Sequence, residues 1–222
     1  MRFGILGTGT VGTTIASKLV RLGHEVRVGS RSPGGERAVS WVEEAGDGAG
    51  EGTLADAAAF GEAVVNCTRG QGSLAALSAA GEENLAGKLL IDVANPLDFS
   101  GGSPPTLSVA NDDSLGEQIQ RAFPASRVVK AFNTMNSEVM VDPALVEGDH
   151  VIFICGEDPG AKVEVGELLA EIGWPVERVL DLGGISAARA TEALIFLWLR
   201  VAGVVDSYRF NFSISRAASD RG

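Results

Sequence analysis

Residues Gly7-Thr8-Gly9-Thr10-Val11-Gly12 spell G-x-G-x-x-G and follow directly on the apolar run Phe3 to Leu6. Few short patterns constrain a backbone so tightly. Gly7 permits a tight strand-to-helix turn, Gly9 lets the backbone approach a diphosphate, and Gly12 lets the helix pack on the strand. The helix-like run Thr13 to Leu22, stopped by Gly23, completes the context that the motif demands. The expectation is a strand–turn–helix unit whose helix N-terminus points free N–H groups at phosphates. A second apolar run, Glu25 to Val28, ends in Gly29-Ser30-Arg31. An acid there would bind the 2′-hydroxyl of an NAD ribose and repel a 2′-phosphate. Ser30 and Arg31 would instead donate to that phosphate, with Arg37 able to reinforce them from the following loop. NADP(H) is therefore the expected nucleotide.

The same βα rhythm continues. Apolar runs recur at Ala63 to Asn66, Leu89 to Val93, Val128 to Phe132, Val151 to Cys155 and Val176 to Val179. Helical candidates lie between them at Ala38 to Ala45, Thr53 to Phe60, Ser73 to Ala80, Ser114 to Ala122 and Ala161 to Ile172. This alternation predicts an α/β fold of the Rossmann type, a doubly wound, mostly parallel sheet with a small C-terminal helical segment. Residues 1–180 form the expected NADP-binding domain. Residues 181–222 form a segment that completes the active site and a dimer interface. The stretch Asp98 to Val109 reads as an extended loop near the carboxyl edge of the sheet, where loops cover ligands. The apolar helix Ser186 to Val205 must be buried on more than one side, and a second copy of the chain is the simplest cover, so a homodimer is expected. The tail Phe210-Asn211-Phe212 is expected to return to a surface and close the ligand site.

Composition removes several classes of function. A net charge of −11 leaves no basic face for nucleic acid or an anionic membrane. The two cysteines, Cys67 and Cys155, stand far apart and suggest neither a disulfide framework nor a metal site. The apolar stretch Ala193 to Leu199 is far too short to span a bilayer, and no apolar leader opens the chain, so a cytoplasmic protein is expected.

Further blocks carry a resemblance. They are Lys130-Ala131-Phe132-Asn133-Thr134-Met135, Cys155-Gly156-Glu157-Asp158, and Asp181-Leu182-Gly183-Gly184-Ile185 followed by Ala188-Arg189 and Glu192. With the glycine motif and the end of the second strand, the chain resembles the NADPH-dependent reductases of the deazaflavin coenzyme F420 over nearly its whole length. Similar blocks occur in the cytosolic reductase domain of membrane ferric reductases. The resemblance implies that Thr8 to Val11 hold the diphosphate and that Ser30 with Arg31 holds the 2′-phosphate. It further implies that Cys67-Thr68 and Asn95-Pro96 pass beneath the nicotinamide and its ribose. Ala131 to Asn133 would line the place where a second ring stacks, with Asn133, Thr134 and Met135 touching the substrate. The turn Thr68-Arg69-Gly70-Gln71-Gly72 differs from the Pro-aromatic turn of the archaeal deazaflavin enzymes.

The chemistry implied is hydride transfer between NADP(H) and F420, a small-molecule redox acceptor, across two stacked planar rings. The protein then supplies position and electrostatics, and no side chain is needed as nucleophile or essential acid. Thr134 could relay a proton. His24 and His150 read as surface or helix-end histidines, and Cys67 as a structural thiol. Arg69, Lys130 and Arg189 are candidates to offset an anionic acceptor, although Arg189 and Glu192, three apart on one helix, could pair with each other or across a dimer. Asp181 could cap a helix or fix a turn. Reduction of an ordinary flavin or a ferric chelate is the enzymatic alternative, and a non-catalytic NADP(H) sensor the other class. Dehydrogenases of 3-hydroxy acids and pyrroline carboxylate reductases share the opening motif but need a long all-helical second domain.

Overall fold

The computed structural model describes residues 1–217. Each strand alternates its side chains across the sheet, and this builds two cores. Phe3, Ile5, Val65, Ile91 and Val129 face one side, while Leu6, Val64, Leu90 and Val128 face the other.

The chain runs β1 (Arg2–Leu6), α1 (Thr10–Arg21), β2 (Glu25–Ser30), α2 (Glu36–Ala45), β3 (Ala49–Thr53), α3 (Leu54–Phe60) and β4 (Ala63–Asn66). Next come α4 (Ser73–Ala80), α5 (Glu82–Leu85), β5 (Leu89–Asp92), β6 (Leu97–Asp98), β7 (Thr106–Leu107), α6 (Leu115–Ala122) and β8 (Arg127–Ala131). Last are α7 (Ser137–Val141), β9 (Ile152–Gly156), α8 (Pro159–Ile172), β10 (Val179–Asp181) and α9 (Ala188–Val205). The main sheet is eight-stranded, in the order β10-β9-β8-β5-β4-β1-β2-β3. Its pairs are parallel except β8 with β9. Helices α1, α2, α7 and α8 cover one face, and α3 to α6 the other. This is the expected Rossmann-like α/β fold with a C-terminal helix. Strand order reverses between β1 and β4, and ligands of open α/β sheets bind outside the carboxyl ends at such a switch point.

Three local expectations need correction. Strand β3 adds to the strands expected: Ala49-Gly50-Glu51-Gly52-Thr53 sits at the sheet edge, half exposed, and carries no apolar run. Val176 to Val179 is not a strand: Val176–Arg178 form a 3-10 turn after Pro175, and β10 begins only at Val179. The loop after Asp98 is not wholly irregular, since β6 and β7 pair antiparallel into a small hairpin.

Helix α9 buries one stripe, Ile195, Trp198 and Ala202, against Leu97 and Leu107 of that hairpin and Phe210 and Phe212 of the tail. Its other face keeps Leu197 53% and Val204 85% exposed. Among the described residues no helix is long and apolar enough to cross a membrane.

Candidate active site

The glycine motif closes as steric reasoning requires. Gly7 takes φ +114°, a conformation that side chains rarely adopt, and a Cβ on Gly12 would stand 2.2 Å from the Gly7 carbonyl oxygen. Around Gly9 there is open space within 4 Å. Helix α1 starts there with no side-chain cap and no acid in its first turn. By contrast, α3, α6 and α8 are capped by Thr53, Ser114 and Asp158. The first N–H groups of α1 are thus left for an anion, and the partial positive charge of the helix end favours one.

From this point a cleft of two arms runs along the carboxyl ends of the strands. The nucleotide arm, about 1020 Å³, is lined by Gly7, Thr8, Gly9, Ser30, Arg31 and Arg37 and walled by Ala75, Ala76 and Ala79 of α4. The second arm, about 860 Å³, is lined by Val11, Asn95, Asn133 and Met135, with Met140 and Ile195 beyond. Cys67, Thr68, Arg69 and Gln71 border both arms, so the two meet over the end of β4. Of the residues read from the sequence, Thr10, Gly12, Pro96, Ala131 and Thr134 line neither arm. Gly12 lies under the turn, and Ala131 and Thr134 are buried. Arg31 is exposed and forms no ion pair among the described residues, as a phosphate ligand should before binding. The Ser30 hydroxyl donates to the Ser32 carbonyl at 2.6 Å and must turn from it to reach a phosphate. A diphosphate cradle, a cation at the end of β2 and a wall of small side chains together fit NADP(H).

Beneath the junction lies a buried polar network that sequence reasoning missed. Thr68 Oγ1 donates to Asn66 Oδ1 at 2.6 Å, Asn66 Nδ2 to Asp92 Oδ1 at 2.8 Å, and Lys130 Nζ to Asp92 Oδ2 at 2.8 Å. Lys130 also donates to Glu192 Oε1 at 2.7 Å and to the Ala94 carbonyl. Glu192 accepts from the N–H groups of Leu115 and Gly116, at 2.9 and 3.0 Å, and so caps α6 from a distant helix. Burial opposes the Lys130 charge, but Asp92 and Glu192 outweigh it and hold its pKa above the ordinary lysine value. The signal was legible: a carboxylate inside the apolar run Leu89-Leu90-Ile91-Asp92-Val93 is too costly to bury without a partner.

This network corrects two expectations. Lys130 is consumed by Asp92 and Glu192 and cannot offset an anionic acceptor. Arg189 and Glu192 do not pair with each other, for Arg189 forms a bidentate pair with Glu117 at 2.8 and 2.6 Å. Arg69 remains, bordering both arms and free of ion pairs among the described residues. Asp181 fixes a turn, accepting from Gly183 N at 2.8 Å. The side chain of Cys67 gains no activating base. Burial first, and then the Asp92 carboxylate, push its thiol far above the usual range, and burial carries Cys155 up to about 12. His24 meets Glu171 at 3.1 Å, whereas His150 is buried between the Pro143 carbonyl and Asn211 rather than at the surface. The tail aromatics Phe210 and Phe212 pack on the Ile195, Trp198 and Ala202 stripe of α9 and do not line the cleft.

Two costs stand side by side just after β8. Phe132, 1% exposed, takes φ +67°, worth about 1–3 kcal/mol of strain for a residue with a bulky side chain. Asn133, 3% exposed, leaves its Oδ1 with no hydrogen-bond partner among the described residues. The amide orientation is locked. Asn95 Nδ2 donates to the Asn133 carbonyl at 2.7 Å, which forces Asn95 Oδ1 toward Asn133 Nδ2 at 2.9 Å and leaves Asn133 Oδ1 as the orphan. An unmet buried acceptor costs about 1–3 kcal/mol.

Comparison with known proteins agrees with this architecture. Residues 2–96 match the family model described as NADP oxidoreductase, coenzyme F420-dependent. The F420-dependent NADP reductase of Methanothermobacter marburgensis is 31% identical over 206 residues, covering 87% of this chain and 89% of that protein. Metalloreductase STEAP3 of Rattus norvegicus is 29% identical over 194 residues, 87% of this chain, and the chain spans only 36% of its length. A crystal structure from Arthrobacter sp. FB24, named as a candidate F420-dependent NADP reductase, superposes with a TM-score of 0.91 at 50% identity, covering 96% of this chain and 99% of that one. With its fold, its nucleotide cradle and these relatives in agreement, the chain belongs to the family of coenzyme F420-dependent NADP oxidoreductases.

Proposed function

We propose that this oxidoreductase moves a hydride between NADP(H) and a deazaflavin of the F420 type. The observation that carries this reading is the two-armed cleft joined over the end of β4, which offers room for a nucleotide and for a second planar ring meeting it edge to face or face to face. NADP(H) supplies the hydride chemistry. The chain's own residues do the rest: the α1 N-terminus and Thr8 to Val11 hold the diphosphate, Arg31 and Ser30 select the 2′-phosphate, and Cys67, Thr68, Arg69 and Gln71 line the junction. Val93, Met135, Met140 and Ile195 give the second arm an apolar wall for a ring to lie against. Residues at positions 67, 68, 133 and 135 thereby orient two rings, and orientation is worth several kcal/mol to a bimolecular step. The C-terminal segment contributes through Ile195, which lines the arm, and the exposed stripe of α9 with Leu197 and Val204 supports the further proposal of a homodimer.

The test is anaerobic mixing of the protein with NADPH and oxidised F420, following the visible absorbance of the deazaflavin, with FMN and a ferric chelate in parallel cells. Bleaching confined to F420 supports the proposal. Turnover of the ferric chelate alone favours the second reading, a flavin or ferric reductase, which the match to the metalloreductase over 87% of this chain motivates. Tight NADPH binding with no turnover would leave a nucleotide sensor.

A further inference from the structure

Among the residues that line the second arm, Arg69 is the one cation and Asp98 the one acid. Asp98 is turned to its own hairpin, where it accepts from Ser100 N at 2.8 Å. The Arg69 guanidinium meets no carboxylate and donates no hydrogen bond among the described residues. Its backbone, by contrast, is held. The Arg69 carbonyl accepts from Gly72 N at 2.8 Å and from Ser73 Oγ at 3.4 Å, and Gly70 packs on the Asn95 carbonyl too closely for any Cβ. The root of the side chain is thus fixed where the two arms meet, while its charged head is left to solvent. The nucleotide has its own partners: the α1 N-terminus faces the diphosphate, and Arg31 and Arg37 line the nucleotide arm. Arg69 is a cation in excess of these, in a chain whose net charge of −11 repels any anion that lacks local positive charge. The 3-10 turn Gly70–Gly72 lies against β6, and Phe99, 60% exposed, follows β6 into the wall of the same arm. An aromatic ring and a guanidinium therefore share one end of the arm.

We infer that Arg69 is a specificity-determining residue that binds the phosphate on the side chain of a planar acceptor, whether the phosphodiester of a deazaflavin coenzyme or the phosphate monoester of a flavin mononucleotide. This rests on the hydride-transfer reading above and deepens it. Arg69 belongs to the turn in which this chain departs from the archaeal deazaflavin enzymes, so the resemblance supplies no role for it. The planar guanidinium fork can donate two N–H groups to two phosphate oxygens, which a lone ammonium does with less geometric selectivity. The ring lies against the apolar wall and gains nothing from Arg69 unless it carries the phosphate. Because Arg69 is exposed, the pair is screened by water and salt, and its effect is one of selectivity between acceptors rather than of large affinity.

Two pairs of acceptors test this without altering the ring. FMN and riboflavin differ by one phosphate, and F420 and 8-hydroxy-5-deazaflavin differ by the phosphodiester-linked acidic side chain. Each is assayed by anaerobic turnover with NADPH and by fluorescence titration against the NADP+-loaded protein. In at least one pair the wild-type protein should prefer the phosphorylated member by about fivefold or more in affinity or kcat/KM, and added salt should narrow that preference. The pair that shows the larger preference identifies the source of the phosphate. In Arg69→Ala the phosphorylated member should lose far more than the bare ring, so that the preference collapses. Arg69→Lys, which keeps the charge but not the fork, should retain part of it. Equal handling of both members of both pairs by the wild-type protein overturns the inference. So does a preference that survives in Arg69→Ala, or a loss in that variant that falls on NADPH affinity, which would assign Arg69 to the nucleotide. Absence of turnover with every ring would count against hydride transfer to these acceptors, while the titrations would still decide whether Arg69 reads the phosphate.

Discussion

Replacing Lys130 by Met leaves Asp92 and Glu192 facing one another in a site where the three side chains are 0%, 0% and 2% exposed. Removing one partner from a buried ionic cluster costs about 3–5 kcal/mol because the remaining charge is uncompensated. The structure argues for the lower end. Asp92 Oδ1 keeps its bonds from Asn66 and Ala94 N, and Glu192 keeps the Leu115 and Gly116 N–H groups with the favourable end of the α6 dipole. A loss of about 3 kcal/mol should lower Tm by roughly 6–12 °C in a chain of this size. Glu192→Gln should cost less, about 1–3 kcal/mol, since an amide NH2 would face a backbone N–H where Oε2 now accepts. The sign of the pH dependence follows from the raised Lys130 pKa: its contribution is complete below about 10.4 and is lost as pH climbs through the higher folded value. Denaturant melts of wild type and Lys130→Met should therefore differ by a constant amount from about pH 7 to 9. A deficit under about 1 kcal/mol would show that water screens the cluster, and the reasoning from buried charge would be refuted.

Other consequences can be checked separately. Arg31→Ala should weaken NADPH by about 1–3 kcal/mol and spare NADH in titrations of both nucleotides; equal losses would remove the 2′-phosphate assignment. The Arg189 guanidinium holds the Glu117 carboxyl below its ordinary pKa, so this pair stabilises above about pH 4.3 and fades as pH falls through the lower folded value. Because Arg189 is 41% exposed, Arg189→Ala should cost little at pH 7 in urea melts, and that cost should shrink as pH falls through the lowered folded value of Glu117. Leu197→Glu, on the exposed face of α9, should make the proposed dimer monomeric in light scattering while NADPH binding survives; an unchanged mass would refute an interface on this face.

How much was legible follows from the range of the interactions. The nucleotide half was readable because its determinants are local. The Gly7 turn, the uncapped start of α1 and the acid-free end of β2 all lie within one βαβ unit, and backbone sterics act over a few residues. Helices α3, α6 and α8 could be placed within a residue or two because Thr53, Ser114 and Asp158 cap them locally. Edge strand β3 was not readable, since an edge needs no apolar run.

Sequence by itself determined the Rossmann unit, the NADP signature and the family. Only the tertiary structure decided the fate of the charges. Lys130 and Glu192 are 62 residues apart and Arg189 and Glu117 are 72 apart, so neither pairing has a periodicity that a linear reading can detect. Burial settled the matter, because a charge taken out of water must find its counter-charge wherever the fold brings one. The same packing left Asn133 Oδ1 without a partner among the described residues, and no inspection of the run Phe132-Asn133-Thr134 could have shown which of its polar atoms the fold would leave unmet.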